Sequence, residues 1–354
     1  MLEDVRLRRA LVCVLLASFW GYFMYFTTLR QGVHRDFGQM WFAARTILHG
    51  GNPYSAIGPG RAFEWSWPWY YPYPAGLAAL PTAPFTEPVA VGIMVFVSVG
   101  AFAWTLTERG YAPLLAFASF CMWHALYLAQ WSPLLLSAIA IAPLAALLVV
   151  KPTVGAAVFL ARPTWWAVGG AVVLLAVSFA IQPTWIHDWY AAIASGRIGT
   201  GFTTSHAPPI SYAGGPLILV ALARWRRPEA RLLLALACVP QTTLPYEGVP
   251  VFLIPNGWIE SAVLAASSWA MLSWVKLQYG VTPAETVANY GQAFVLFLYL
   301  PATVMLLRRP NEGRVPAWAE RVFARVRASI TSHRAAVAEK PPATDDPDRT
   351  PSRE

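Results

Sequence analysis

Between residues 10 and 307 the chain is a succession of apolar runs close to 20 residues long, separated by short turns. A helix needs about 20 apolar residues to cross the hydrocarbon layer of a bilayer. The runs 10–29, 88–106, 112–129, 132–150, 164–181, 210–224, 258–276 and 286–307 meet that length or come near it. A further apolar stretch, 230–256, is interrupted by Pro240, Pro245 and Pro250 and reads as two short broken helices, 230–240 and 247–256, meeting at Gln241–Tyr246. Counting it as a hairpin gives ten crossings. The segment 144–162 carries a similar break at Lys151-Pro152. The expected fold class is therefore all-α, a polytopic membrane protein.

Charge agrees. Only 12% of residues are charged, against about 25% in soluble proteins. Residues 1–9 and 308–354 hold 13 of the 26 Lys+Arg and 9 of the 18 Asp+Glu. The body between them cannot present a water-soluble surface, which excludes a soluble enzyme. No basic face with interleaved aromatics assembles, so the net charge of +8 does not point to nucleic acid. The three cysteines lie in separate apolar runs without CxxC spacing, which supports neither disulfides nor a thiolate metal site. The first run follows Arg6, Arg8 and Arg9 but is long enough to span and lacks a small-residue cleavage site, so it reads as a retained helix.

Lys and Arg in short loops mark the cytosolic side. Arg6, Arg8 and Arg9, then Arg109, then Arg224 to Arg231, then Arg308 and Arg309 place both ends inside, which requires an even number of crossings. The domain reading is a membrane domain over 1–307 and a charged cytosolic tail over 308–354, with a surface helix over 316–338 and disorder over 339–354. The expected location is the cell membrane, with the long loops 30–87 and 182–209 and the break at 241–246 on the outer face.

The first outer loop carries the most chemistry. From His34 to Tyr54, Phe37, Met40, Trp41, Ala44 and Leu48 recur at helical spacing before Gly50-Gly51, which predicts an amphipathic helix lying apolar face down on the outer leaflet. Asp36 stands at its start, where an N-cap is the plain alternative. Asp36 and Asp188 are the only aspartates between residues 5 and 344, and a carboxylate kept beside the membrane suits a general base. Trp65, Trp67, Trp69, Tyr70, Tyr71, Pro72, Tyr73 and Pro74 follow. They read as an interfacial belt, and Tyr71 and Tyr73 also suit sugar rings and prenyl chains.

Lys151 is either an intramembrane cation aimed at a lipid phosphate, if 144–162 turns back as a short hairpin, or a cytosolic snorkelling anchor. Arg35 is a candidate for phosphate or lipid headgroups, and Arg162 reads as a cytosolic edge. His187 and Asp188 in the second outer loop are candidates for orienting acceptor hydroxyls, and His206 for lining the donor pocket or facing water. Tyr246 and Glu247 lie at the late helix break, where exposed backbone implies a cavity. Gln130 either hydrogen-bonds the sugar or caps its turn, and His124 reads as a core residue.

These landmarks, taken in order, resemble glycosyltransferase family 87, the polyprenyl-phosphate-mannose-dependent mannosyltransferases of the GT-C class. The order is a first helix, Asp36-Phe37, an aromatic helix, Gly51-Asn52-Pro53-Tyr54, and Tyr71-Pro72-Tyr73-Pro74. It continues through Gln130-Trp131-Ser132, Lys151-Pro152, Pro183-Thr184-Trp185 before Trp189-Tyr190, and the break at Pro240–Glu247. Family members commonly show Tyr-Pro-Pro at the second aromatic motif and a His near the late break. This chain has neither, so a His-assisted step is not implied here. The resemblance implies a GT-C-type bundle of about ten helices. It also implies inverting transfer of a hexose, mannose in the family, from a polyprenyl-phosphate donor to a lipid or glycan hydroxyl on the outer face. Asp36 matches the family's catalytic carboxylate. A monophosphate leaving group can be stabilised by Arg and Lys, and no DxD-like acidic pair stands near Asp36, so no metal or cofactor is expected. Another GT-C transferase using a lipid-linked sugar such as arabinofuranose, or a non-enzymatic lipid or glycan transporter, are the alternatives.

Overall fold

The computed structural model describes residues 2–199, 207–242, 244–278 and 283–313, with scattered positions between 320 and 332. Two units result, Met1–Asn311 and Glu312–Glu354. The expected tail helix and disordered end lie outside the described residues, apart from isolated helical positions. The first unit is built almost wholly of helices. Its strand pairing is a two-residue parallel bridge, Ile57–Gly58 with Phe63–Glu64.

By length and composition, three described helices can cross a membrane: Asp4–Gln31, Glu87–Arg109 and Asn289–Leu307. A fourth crossing exists if Trp165–Ile181 and Trp185–Ser195, bent by 91°, count as one span. Large apolar side chains stay exposed along these helices, among them Leu15, Phe19, Tyr22, Val172 and Val173. Such surfaces suit lipid rather than water. The first helix, Leu2–Gln31, packs antiparallel on Glu87–Leu106. Their backbones meet at Gly21 and Gly92, where a Cβ on either would stand 3.1 Å from the other's carbonyl oxygen. Small residues permit that approach in a bilayer.

Among the described residues, ten full-length spans are not formed. Several of the apolar runs break into short pieces, six of which carry proline at the first or second helical position: Ala112–Ala118, Ser132–Leu136, Ala142–Val150, Pro152–Ala161, Gly215–Arg224 and Pro245–Leu253. Proline lacks the N–H that would carry a preceding helix onward, so each marks a restart. The run 132–150 is accordingly not one crossing. It reverses after Ile139, and Ala142–Val150 then pairs with Pro152–Ala161 as a hairpin turning at Lys151.

Arginines gather at one end of the bundle and close the carbonyls that helix ends leave free. Arg9 Nη2 donates to the Trp104 carbonyl (2.8 Å), Arg109 Nη2 to Leu253 (2.6 Å) and Arg309 Nη1 to Ile254 (2.7 Å). Arg224 Nη2 reaches Leu307 (2.8 Å), Arg231 Nη2 reaches Ala161 (2.7 Å), and Arg162 reaches Ile139. Cations at helix C-termini also oppose the helix dipole favourably. Arg9 and Arg35 are tied to opposite ends of the first helix: Cys13 lies against Thr107, and Thr28 against Arg35. About 22 Å of helix separates those two levels.

The loop helix forms as Asp36–Leu48, but it does not lie face down on a leaflet. Phe37, Met40, Ala43, Ala44 and Ile47 are buried within the protein, while Leu48 is exposed. Phe37 meets Trp131 edge to face with centroids 5.7 Å apart. The aromatic segment after it also turns inward: Trp69 and Tyr73 are fully buried, and Trp69 lies 4.9 Å from Tyr54 between ring centroids. The protein offers these side chains a drier, better-packed contact than the interface would.

Candidate functional site

At the end of the bundle away from that cluster of carbonyl-closing arginines, five separate stretches of chain bring polar side chains together. Asp36 enters from the loop helix. It is the first helical residue rather than the N-cap, a place taken by Arg35, whose side chain makes no cap bond. The Asp36 carboxylate is thus free of local duty, and Gln130 Nε2 donates to its Oδ2.

Gln130 is aimed by the turn beneath it. The helix Phe120–Tyr127 ends with Ala129 in the left-handed region at φ 53°. The Gln130 N–H bonds the Ala125 carbonyl (2.9 Å), and the Ala129 N–H bonds Leu126 (3.0 Å). This is a Schellman closure with alanine where glycine is usual. Gln130 Oε1 then accepts from the Tyr71 hydroxyl at 3.3 Å and from Lys151 Nζ at 3.4 Å.

Lys151 sits at the hairpin turn and is 8% exposed. Its ammonium also reaches Ser132 Oγ at 3.3 Å and Glu247 Oε1 at 3.1 Å, and lies 4.6 Å from the centre of the Tyr246 ring. The snorkelling reading is thereby corrected: the hairpin carries Lys151 to the end opposite the arginines. Glu247, 4% exposed, begins the piece Pro245–Leu253 and accepts a second bond from Thr242 Oγ1 at 3.1 Å. Removing one partner of such a buried pair strands the other charge, at a cost of about 3–5 kcal/mol.

The electrostatics set Asp36 apart. Burial pushes its carboxyl up to about 6, against the pull of the Lys151 charge and the Gln130 hydrogen bond, while Glu247 adds to the rise. Asp36 nevertheless keeps some solvent exposure. Burial likewise raises the Tyr71 phenol, keeping it a neutral donor. The group can therefore accept a proton at Asp36 near neutral pH and offer an ammonium and neutral hydroxyls to an anion.

Asp36, Tyr71, Gln130, Lys151, Tyr246 and Glu247 meet here. Other candidates do not. Arg35 is 1% exposed, and its guanidinium is engaged by Gln31 (2.7 Å) and lies over the Tyr127 ring (4.0 Å) rather than joining this group. Tyr73 packs with Ile47, Leu77 and Trp185 in a separate apolar cluster. Asp188, in the helix that starts at Trp185, gathers Asn52 (3.0 Å), Gln182 (3.1 Å) and Thr184 (3.1 Å) at one oxygen and ties that helix to the segment before Pro53. His187 is solvent-facing, 3.9 Å from the Asp188 carboxylate, so the pair does not converge on one target. His206 lies outside the described residues.

Ser132 and Thr242 also contribute, through Lys151 and Glu247. Neither stands out in the sequence: the Lys151 hairpin brings Ser132 into the group, and the late break brings Thr242. His124 is more than core filling: its ring stacks on Tyr246 at 5.7 Å and 7°. A histidine thus reaches the late break from another helix, although the break itself carries none. Compared with known proteins, the chain matches no family model, no curated protein and no solved structure.

Proposed function

We propose that this chain is a membrane glycosyltransferase, with Asp36 as general base, that transfers a hexose from a polyprenyl-phosphate donor to a hydroxyl of a lipid or glycan acceptor. The observation that carries the reading is one carboxylate, held proton-accepting near neutral pH, joined through Gln130 to a buried ammonium. The acceptor oxygen attacks the anomeric carbon as its proton passes to Asp36. The bond from that carbon to the phosphate oxygen breaks, its electron pair leaves with the phosphate, and the anomeric configuration inverts. Lys151, with Ser132 and Tyr246 beside it, is the group this reading assigns to the charge gathering on that phosphate.

The arginine end supplies the orientation. Under the positive-inside rule it is cytosolic, which turns the Asp36 group outward, toward lipid-linked sugars on the outer face of the cell membrane. The GT-C-type bundle belongs to the same proposal, its crossings completed by the short proline-started pieces. Mannose is the sugar that the resemblance to glycosyltransferase family 87 implies.

The test is purified protein in lipid with polyprenyl-phosphate-mannose and candidate glycolipid or glycan acceptors. The expected result is release of polyprenyl phosphate together with a new glycosidic product. Turnover only with an arabinofuranose donor would change the sugar and keep the mechanism. Movement of lipid across the bilayer with no bond broken would replace the enzyme by a transporter.

A further inference from the structure

The charge balance around Lys151 is unusual for a site meant to hold phosphate. The ammonium bonds two uncharged groups, Gln130 Oε1 and Ser132 Oγ, and one carboxylate, Glu247. Glu247 is itself nearly sealed from solvent, its Oε1 shared between Lys151 and Thr242 at 3.1 Å each. Asp36 supplies a second carboxylate one hydrogen-bonded residue away, through Gln130. Among the described residues, Lys151 is the cation whose contacts lie inside this group. With both carboxylates ionised, one positive charge faces two negative ones.

We propose that Glu247 is a specificity-determining residue that makes the site distinguish phosphates by charge, accepting a monoanionic phosphodiester and expelling a dianionic monoester. The inference rests on the donor reading above and sharpens it. A sugar-phospho-prenyl donor is a diester with one negative charge. When the anomeric carbon–oxygen bond breaks and the electron pair stays on the phosphate, the product is a monoester. Its second ionisation falls near pH 6, so it carries close to two charges at pH 8. Glu247 competes with either phosphate for Lys151, but it repels the product about twice as strongly as the substrate. The same carboxylate that holds Lys151 in place thus favours departure of the spent lipid phosphate, and it bars diphosphate-linked donors by the same charge.

The experiment uses the full chain in nanodiscs of neutral lipid at pH 8. Calorimetric titration compares a short-chain prenyl phosphate monoester with its methyl phosphodiester. The wild type should bind the diester more tightly. Glu247→Gln keeps the shape and the bond from Thr242 but removes the charge, and it should tighten the monoester about tenfold more than the diester, as expected for one extra unit charge several Å away at an effective dielectric of about 20–40. Glu247→Asp, which retains the charge, should keep the wild-type preference. Equal shifts for both probes in Glu247→Gln, or loss of the preference in Glu247→Asp, would overturn the proposal and leave the donor reading standing. Failure of the wild type to bind either probe would overturn both.

Discussion

Replacing Asp36 with asparagine tests, through stability alone, whether the site holds a carboxylate at a cost. The folded carboxyl titrates at about 6, against an ordinary value of 3.8. Because the folded value is raised, the folded state holds the proton more tightly than the unfolded chain. Asp36 therefore contributes stability that is fully present below pH 3.8 and lost as the pH climbs through about 6. At about 1.4 kcal/mol per pH unit across that window, the loss is at most about 3 kcal/mol, an upper figure because Asp36 keeps some exposure to solvent. Asparagine has no charge to desolvate and keeps a side-chain oxygen for the amide of Gln130. The assay is denaturant unfolding in lipid bicelles, followed by tryptophan fluorescence at pH 4.5 and pH 8. The free-energy difference between Asp36→Asn and wild type should move in the variant's favour by up to about 2 kcal/mol between those two pH values, the rest of the loss falling below pH 4.5. A difference that stays constant with pH, or moves the other way, would refute the argument that burial governs this carboxyl.

Two further outcomes follow from the fold. Ala129→Gly should stabilise the protein by about 0.5–1 kcal/mol in the same unfolding assay, because alanine in the left-handed region costs about 1–2 kcal/mol, offset in part by the greater chain entropy of glycine; a loss of stability would mean that the alanine methyl packs rather than strains. In a Cys238→Ser background, His187→Cys should react with a membrane-impermeant maleimide on intact cells and Arg308→Cys should not, and the reverse pattern would turn the site to the cytosol.

The sequence was most informative where one physical rule dominated. Apolar run length identified Leu2–Gln31 and Glu87–Leu106 as helices able to cross a bilayer, and arginine placement anticipated which turns share an end. It was least informative where proline and packing competed. The run 132–150 reads as one helix because its residues are uniformly apolar. Pro133 and Pro143 divide it, and the reversal after Ile139 is a matter of tertiary contact that periodicity does not carry. The loop helix shows the same limit from the other side: its apolar stripe is plain, but a stripe does not say whether lipid or protein will cover it.

The candidate site was legible as single residues and not as a constellation. An aspartate isolated in an apolar chain and a lysine breaking an apolar run are conspicuous because burying charge is expensive. That Gln130 would join them depends on a left-handed alanine, for which the sequence gives no sign, since glycine is the residue expected there. Thr242 and Ser132 are found only once the break and the hairpin are folded against each other. Asp188, the other solitary aspartate, shows that rarity alone does not make a site: its hydrogen bonds fasten the start of its helix to Asn52 in the first long loop.

The most direct test of the central claim is the single-turnover rate of sugar transfer from polyprenyl phosphate, measured from pH 5 to pH 8 for wild type and Asp36→Asn, with donor binding recorded in parallel. The wild-type rate should rise with pH through about 6, as the Asp36 carboxyl loses its proton. Asp36→Asn should bind donor as before yet transfer sugar about 100- to 10,000-fold more slowly. A wild-type rate flat across that range, or an Asp36→Asn rate within a few-fold of wild type, would contradict Asp36 as the base.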